Sequence, residues 1–156
     1  MLKKNKEEIR KTYLSCCYLE LDLLKPGNVN KISQIKGMSK SKFKRAAYIS
    51  SKILIQDLNL PNTIYLSVKN CLLELNSNYN LGIILLCAPV IKASLEGQKN
   101  IHKFRESLKN KLESIKNDDS HKIFEAIINS NPGGLKNFNK KGNLSNLSEK
   151  KLSFGI

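Results

Sequence analysis

Apolar residues recur every three or four positions along most of the chain, a spacing that predicts amphipathic helices. The first predicted helix runs from Glu7 to Leu24. A second follows Ser39, a residue suited to capping a helix start, and continues to about Leu58. A third carries apolar residues up to Leu75. No segment alternates apolar and polar positions long enough to predict a strand.

Three more helices are predicted in the second half of the chain. Leu81 to Leu95 is apolar on nearly every side, which predicts the central helix of the bundle. Asn100 to Lys116 is amphipathic, and His121 to Asn129 is a short helix begun by the polar residues before it. The residues expected to face inward from the fifth helix are Ile101, Phe104, Leu108, Leu112 and Ile115, and those expected to start the sixth are Asp118, Asp119 and Ser120.

These elements predict an all-α fold, a bundle of about six helices. At 156 residues the chain suits one domain with a single core. We expect that domain to span residues 1–135. Residues 136–156 are rich in Asn, Lys, Ser and Gly without periodicity, which predicts a polar tail that is irregular or disordered.

Three loops rich in Asn and Gly separate these helices and hold the candidate chemistry. They are Lys25-Pro26-Gly27-Asn28-Val29-Asn30, Asn76 to Gly82, and Asn131-Pro132-Gly133-Gly134-Leu135. Each alone is the ordinary turn that follows a helix stop. Together they offer a cation, amide side chains and glycines that let backbone amides approach a phosphate. We interpret them as parts of one nucleotide-handling site.

The order of the helices affects that interpretation. In an up-and-down bundle the first two loops lie at the same end. Simple alternation places the third loop at the opposite end.

Glu20 lies on or beside the apolar stripe of the first helix, one to two turns before Pro26. A carboxylate there is either edging into solvent, the commoner case, or directed at a cationic group.

The same residues carry a family resemblance. Glu20 with Lys25-Pro26-Gly27-Asn28-Val29, the segment Asn78 to Pro89, and Pro132-Gly133-Gly134-Leu135 resemble, in order and spacing, the triphosphoribosyl-dephospho-CoA synthase family. The resemblance implies an all-helical, cytosolic transferase. An active chain would be a pentosyl (triphosphoribosyl) transferase that joins ATP to dephospho-CoA and releases adenine. The product is the precursor of the prosthetic group of citrate or malonate decarboxylase acyl carrier proteins.

The resemblance also implies roles for individual residues. Glu20 would be a catalytic or Mg²⁺-binding carboxylate, and ATP would be a substrate bound with that Mg²⁺. The residues implied to contact phosphate or nucleotide are Lys25, Gly27, Asn28, Asn78, Asn80, Gly133 and Gly134.

The chain departs from the family pattern at three places. Gly37-Met38 stands where an Asp-Met pair is usual, Lys136 replaces a glycine, and Asn143-Leu144 stands where an Asp-Val follows. Family members are also considerably longer. These differences predict a C-terminally truncated or diverged member, either working with another chain that supplies the missing helices or catalytically inactive.

The formal charge of +14 raises a further alternative, a basic helical protein that binds polyanions. Of the 27 basic residues only Arg10, Arg45 and Arg105 are arginine, and the lysines are spread over every helix. Base reading usually relies on arginine, so specific nucleic-acid binding is not expected.

Cysteine usage and hydropathy indicate a cytoplasmic protein without a membrane segment. Cys16, Cys17, Cys71 and Cys87 form no C-x-x-C pair, and we expect all four to be buried free thiols. The longest apolar run, Leu81 to Ile91, is about half of the roughly 20 residues that a membrane-spanning helix needs.

Overall fold

A computed structural model describes residues 6–23 and 39–132, and every regular element in those two segments is an α-helix. The predicted all-α class and the six helices are confirmed. The expected tail, residues 136–156, and the domain boundary at 135 lie outside the described residues. The helices are α1 (Lys6–Asp22), α2 (Lys40–Leu54), α3 (Leu60–Leu75), α4 (Leu81–Leu95), α5 (Ile101–Glu113) and α6 (Asn117–Asn129).

Short polar side chains begin three of these helices, as the sequence predicts for α2. The Ser39 hydroxyl accepts a hydrogen bond from the backbone N–H of Lys42. The Asn59 and Asn100 side chains cap α3 and α5 in the same way. Each cap satisfies an amide that has no partner inside its helix.

The first four helices form a closed ring. Each of α1, α2 and α3 packs against the next helix, and α4 packs back against α1. Outside this ring, α5 contacts α4 and α6 contacts α3. The core between them is formed by Ile9, Tyr13, Cys17, Ala46, Ala47, Leu54, Leu60, Ile64, Val68, Cys71, Tyr79, Leu81, Ile84, Ala88, Ile91 and Ala126.

The α4 helix is central, but it is not covered on nearly every side by the described residues. It contacts α1, α2, α3 and α5. Leu86 is nevertheless 75% exposed, and Val90 is also exposed. A helix in a four-membered ring keeps one face outward, which accounts for these exposed residues. Within the described ranges no helix is long and apolar enough to cross a bilayer.

Two predicted helix boundaries are also wrong. The α2 helix ends at Leu54 and not near Leu58, since the chain turns at Ile55 and the Gln56 N–H bonds back to the Ile53 carbonyl. The α6 helix begins at Asn117, four residues before the predicted start at His121. The acidic residues expected to precede it lie in its first turn, where they still complement the positive end of the helix dipole.

The predicted inward face of α5 is only partly correct. Ile101 is 57% exposed and Leu112 is 49% exposed, while Ser107 is the one residue buried in this helix. The physical reason is that α5 packs mainly against a single helix, α4, which covers only a narrow stripe.

The four cysteines differ in exposure. Cys17 and Cys71 are buried as predicted, but Cys16 is exposed and Cys87 is half-buried. Cys16 and Cys17 are adjacent on α1, so their side chains point about 100° apart and cannot both enter the core. The expectation of four buried thiols is therefore wrong.

Candidate functional site

Three of the predicted site residues lie within the described chain. Glu20 is in the last turn of α1, while Asn78 and Asn80 precede α4. The other predicted residues, Lys25, Gly27, Asn28, Gly133 and Gly134, lie outside the described residues, so their placement stays a prediction.

Ion pairs define the end of the bundle where these residues lie. Lys40 at the start of α2 pairs with Asp22 at the end of α1, with 2.5 Å between Nζ and Oδ1. Arg45 in the first half of α2 pairs with Glu74 at the end of α3. The end of α1, the start of α2 and the end of α3 therefore meet. Since α4 begins five residues after α3, its start lies at this end too.

The packing of α1 on α4 places Glu20 beside the start of α4. Cys16 and Cys87 line one groove between these two helices. One turn onward in α1 reaches Glu20, and one turn back in α4 reaches Ile83, a rise of about 6 Å in each helix. The two motif segments, Glu20 and the Asn-rich loop, are thus brought to the same end of the bundle, as up-and-down packing predicts.

The Asn-rich loop is held by its own side chains. Asn76 ends α3 in the left-handed conformation, at φ 52°, and its N–H donates to the Leu72 carbonyl. The Asn78 side-chain oxygen accepts from the Leu81 N–H at 3.1 Å, which caps α4. The Tyr79 ring is buried edge-on against Phe43, with 5.1 Å between centroids. The loop is therefore fixed against α2.

Asn80 lies inside the protein and not at its surface. Its side chain is 5% exposed, and its Nδ2 donates to the Ser50 hydroxyl at 3.1 Å. The Ser50 oxygen is also 2.9 Å from the Tyr13 hydroxyl and 2.9 Å from the Ala46 carbonyl. These contacts join α1, α2 and the residue before α4.

Every group in this cluster can be satisfied at once. A hydroxyl has one proton to donate and can accept two hydrogen bonds. If Ser50 donates to the Ala46 carbonyl, it accepts from both Tyr13 and Asn80. Burial raises the pKa of the Tyr13 phenol well above its ordinary value, and it raises the pKa of the Cys17 thiol to about 11. The cluster is therefore neutral near pH 7 and acts as a scaffold for the loop.

The α6 helix, which leads to the third motif, packs along α3. Asn129 of α6 and Asn76 line the same groove between α3 and α6. Farther along this contact, the Tyr65 hydroxyl donates to the Glu125 carboxylate at 3.2 Å. The position of the third segment relative to the first two loops therefore stays a prediction.

This arrangement can be compared with known families. A family model described as ATP:dephospho-CoA triphosphoribosyl transferase (CitG) matches residues 6–155. The chain belongs to this family. No curated protein and no solved structure gives a significant match.

The substrate ATP of this transferase family raises the question of Mg²⁺. In the described ranges no group of three or more His, Cys, Asp or Glu side chains could hold a metal ion. Asp22 is paired with Lys40, and it points about 200° around α1 from Glu20. Mg²⁺ at nucleotide sites usually needs only one or two carboxylates, since phosphates and waters supply the rest. A single carboxylate such as Glu20 is enough for an Mg²⁺ ion of that kind.

Sequence reasoning missed two features of this transferase. One is the Tyr13–Ser50–Asn80 cluster, whose signal is a serine inside the apolar stripe of α2. The other is Lys92, 7% exposed, whose Nζ donates to the Gln56 carbonyl at 2.5 Å. Burial lowers the pKa of Lys92 to about 8. The sequence feature that could have indicated this buried lysine is a single cation within an otherwise apolar helix. Gln56 follows α2, so this lysine lies at the end of the bundle away from Glu20.

Proposed function

We propose that this chain catalyses the reaction of its family, in which ATP and dephospho-CoA give triphosphoribosyl-dephospho-CoA and adenine. The observation that carries the proposal is the family match over residues 6–155. The position of Glu20 and the Asn-rich loop at one end of the bundle supports it.

The reaction is a glycosyl transfer at the anomeric carbon of the ATP ribose. A ribose hydroxyl of dephospho-CoA forms a new C–O bond there, while the bond from that carbon to the adenine nitrogen breaks. The hydroxyl loses its proton and adenine leaves with one. Such a transfer passes through an oxocarbenium-like state, and a nearby carboxylate stabilises its positive charge.

We assign that role to Glu20, either facing the reacting carbon or holding the Mg²⁺ that would accompany ATP. Mg²⁺, when bound, would neutralise phosphate charge. We assign phosphate and nucleotide contacts to Lys25, Gly27 and Asn28, and to Gly133 and Gly134. Asn78 fits a contact with ribose or phosphate at the rim of the loop. Asn80, being buried, would serve the substrate by positioning that loop.

The product suggests a cellular role. Triphosphoribosyl-dephospho-CoA would be a precursor of the prosthetic group of a decarboxylase acyl carrier protein, made in the cytoplasm.

Adenine release tests the proposed reaction. Purified protein is incubated with ATP, Mg²⁺ and dephospho-CoA, and free adenine is separated and quantified. We expect release that needs all three components. Glu20→Gln removes the charge without changing size, and it should lower the rate at least 100-fold. Glu8→Gln, an exposed position on the same helix, is the matched control. A folded wild-type protein that releases no adenine would overturn the proposal.

A second candidate function, polyanion binding, is favoured by the surface of α2. This helix carries five cations and no acidic residue, and Lys42, Lys44 and Lys52 are exposed. On this hypothesis the affinity for any nucleic acid falls steeply with salt and ignores nucleotide identity. Saturable ATP binding in moderate salt would argue against it.

A further inference from the structure

We propose that the groove between α3 and α6 binds an adenine ring. The inference rests on the proposed function, because both substrates of that reaction carry adenine. The groove is lined chiefly by Tyr65, Val68, Lys69, Leu72, Asn76 and Asn129. Of the predicted site residues that the structure describes, Glu20, Asn78 and Asn80, none lines it.

The size and walls of the groove suit one flat heterocycle. Its volume is about 280 Å³. Pockets for drug-sized ligands span about 300–1,000 Å³, so this groove would hold a base and leave the sugar and phosphates outside. Val68 and Ala126 form a buried apolar floor, and Leu72 is half-buried beside them. Apolar walls of this kind pack against the faces of a purine.

Two amide side chains supply the polar contacts that adenine requires. Asn76 and Asn129 both line the groove and both are exposed, so their amides reach its opening. Each amide offers donors and an acceptor, and asparagine pairs with adenine through two hydrogen bonds at once. The hydrogen bond from the Asn76 N–H to the Leu72 carbonyl holds the backbone of Asn76 at φ 52°, which fixes the point from which its side chain extends.

The position of the groove connects it with the rest of the site. Asn76 opens the Asn-rich loop, and Asn129 lies three residues before Pro132. A base bound beside Asn76 lies next to the Asn-rich loop. Lys69 at the rim, 5.5 Å from the Tyr65 ring centroid, adds positive charge that favours the phosphates of a nucleotide.

The test compares binding of adenosine with binding of inorganic tripolyphosphate by calorimetry. The double variant Asn76→Gly with Asn129→Ala removes both amides, and glycine tolerates the left-handed conformation at position 76. Asn70→Ala, which removes an exposed amide from α3 outside the groove, is the control. We expect the double variant to bind adenosine at least ten-fold more weakly and tripolyphosphate unchanged, and the control to match wild type.

A second measurement does not depend on substitution. Adenosine should protect Lys69 from acetylation and leave exposed Lys52 on α2 unprotected. Repeating this with ATP and with dephospho-CoA shows which substrate supplies the adenine, since only the source that enters the groove protects Lys69.

The outcomes separate this inference from the proposed reaction. No adenosine binding by wild type, or equal affinity in the double variant, overturns the groove assignment even if adenine is released. Amide-dependent adenosine binding upholds the groove assignment even if wild type releases no adenine, in which case the proposed reaction fails alone.

Discussion

Asn80 donates a hydrogen bond from Nδ2 to the Ser50 hydroxyl at 3.1 Å, inside the ring of four helices. Ser50 also contacts the Tyr13 hydroxyl, so one buried contact fixes the start of α4 against α1 and α2. Glu20 lies two turns beyond Tyr13 on the same side of α1. The loop and the carboxylate of the candidate site are therefore positioned by the core of the bundle.

The first prediction concerns this contact. Asn80→Leu has a similar shape but removes the donor, which leaves Ser50 with one partner fewer in the core. We expect the free energy of unfolding to fall by about 1–3 kcal/mol. Asn78→Ala removes only the cap of α4 and should cost about 1 kcal/mol or less. Urea unfolding measures both, and equal losses would contradict the role assigned to Asn80.

The second prediction concerns the pH dependence contributed by Lys92. Burial lowers its pKa in the folded protein to about 8, from an ordinary value of 10.5. The unfolded chain therefore binds this proton more tightly, and the charged form costs stability at neutral pH. That cost is fully present below pH 8 and is lost as the pH rises toward 10.5.

Lys92→Met reveals this contribution by comparison. The free energy of unfolding of wild type minus that of the variant should rise by about 1–3 kcal/mol between pH 7 and pH 10.5. The control Lys42→Met changes an exposed lysine on α2 and should show no such rise. A difference between wild type and Lys92→Met that stays flat with pH would show that Lys92 is not desolvated.

The third prediction concerns the thiols. Cys16 is exposed and should react with a disulfide reagent within minutes at pH 8. Burial raises the pKa of Cys17 and of Cys71 to about 11, so these thiols should react only when the protein opens. Mass mapping of the labelled sites checks this order, and Cys16→Ser should remove the fast phase. Fast labelling of Cys17 would contradict the packing of α1.

The fourth prediction concerns the attachment of α5. Glu96 accepts hydrogen bonds from Lys111, at 2.5 Å, and from Ser107, and these contacts lower the pKa of Glu96. The stabilising effect of the Glu96 carboxylate is present above pH 4.5. It is lost as the pH falls through the lowered pKa of Glu96. Glu96→Gln should speed amide hydrogen exchange in α5 and leave α3 unchanged. Glu113→Gln, in an exposed pair within α5, should have little effect.

Local signals in the sequence predicted most of the helices. Ser39 caps α2 where its pattern begins, and α4 spans the predicted residues Leu81 to Leu95. These features depend on neighbours a few residues away, such as a hydroxyl facing an unpaired amide. The end of α2 and the start of α6 differ from the predictions. These boundaries depend on turns and on helix-dipole effects, which several neighbouring residues can support equally well.

Features that depend on packing partners could not be predicted. Ile101 and Cys16 follow an apolar pattern, but only the arrangement of neighbouring helices decides that they remain exposed. The packing of α6 on α3, outside the four-helix ring, is likewise not specified by helix alternation. Glu20 and the Asn-rich loop were placed at one end correctly, since that follows from simple alternation.

The central claim is transfer of a triphosphoribosyl group to dephospho-CoA, and mass spectrometry of the acceptor after incubation with ATP and Mg²⁺ tests it most directly. We predict that dephospho-CoA gains the mass of one triphosphoribosyl group in wild type and in Glu8→Gln, and gains almost none in Glu20→Gln. Unmodified dephospho-CoA after incubation with folded wild-type protein would contradict the account.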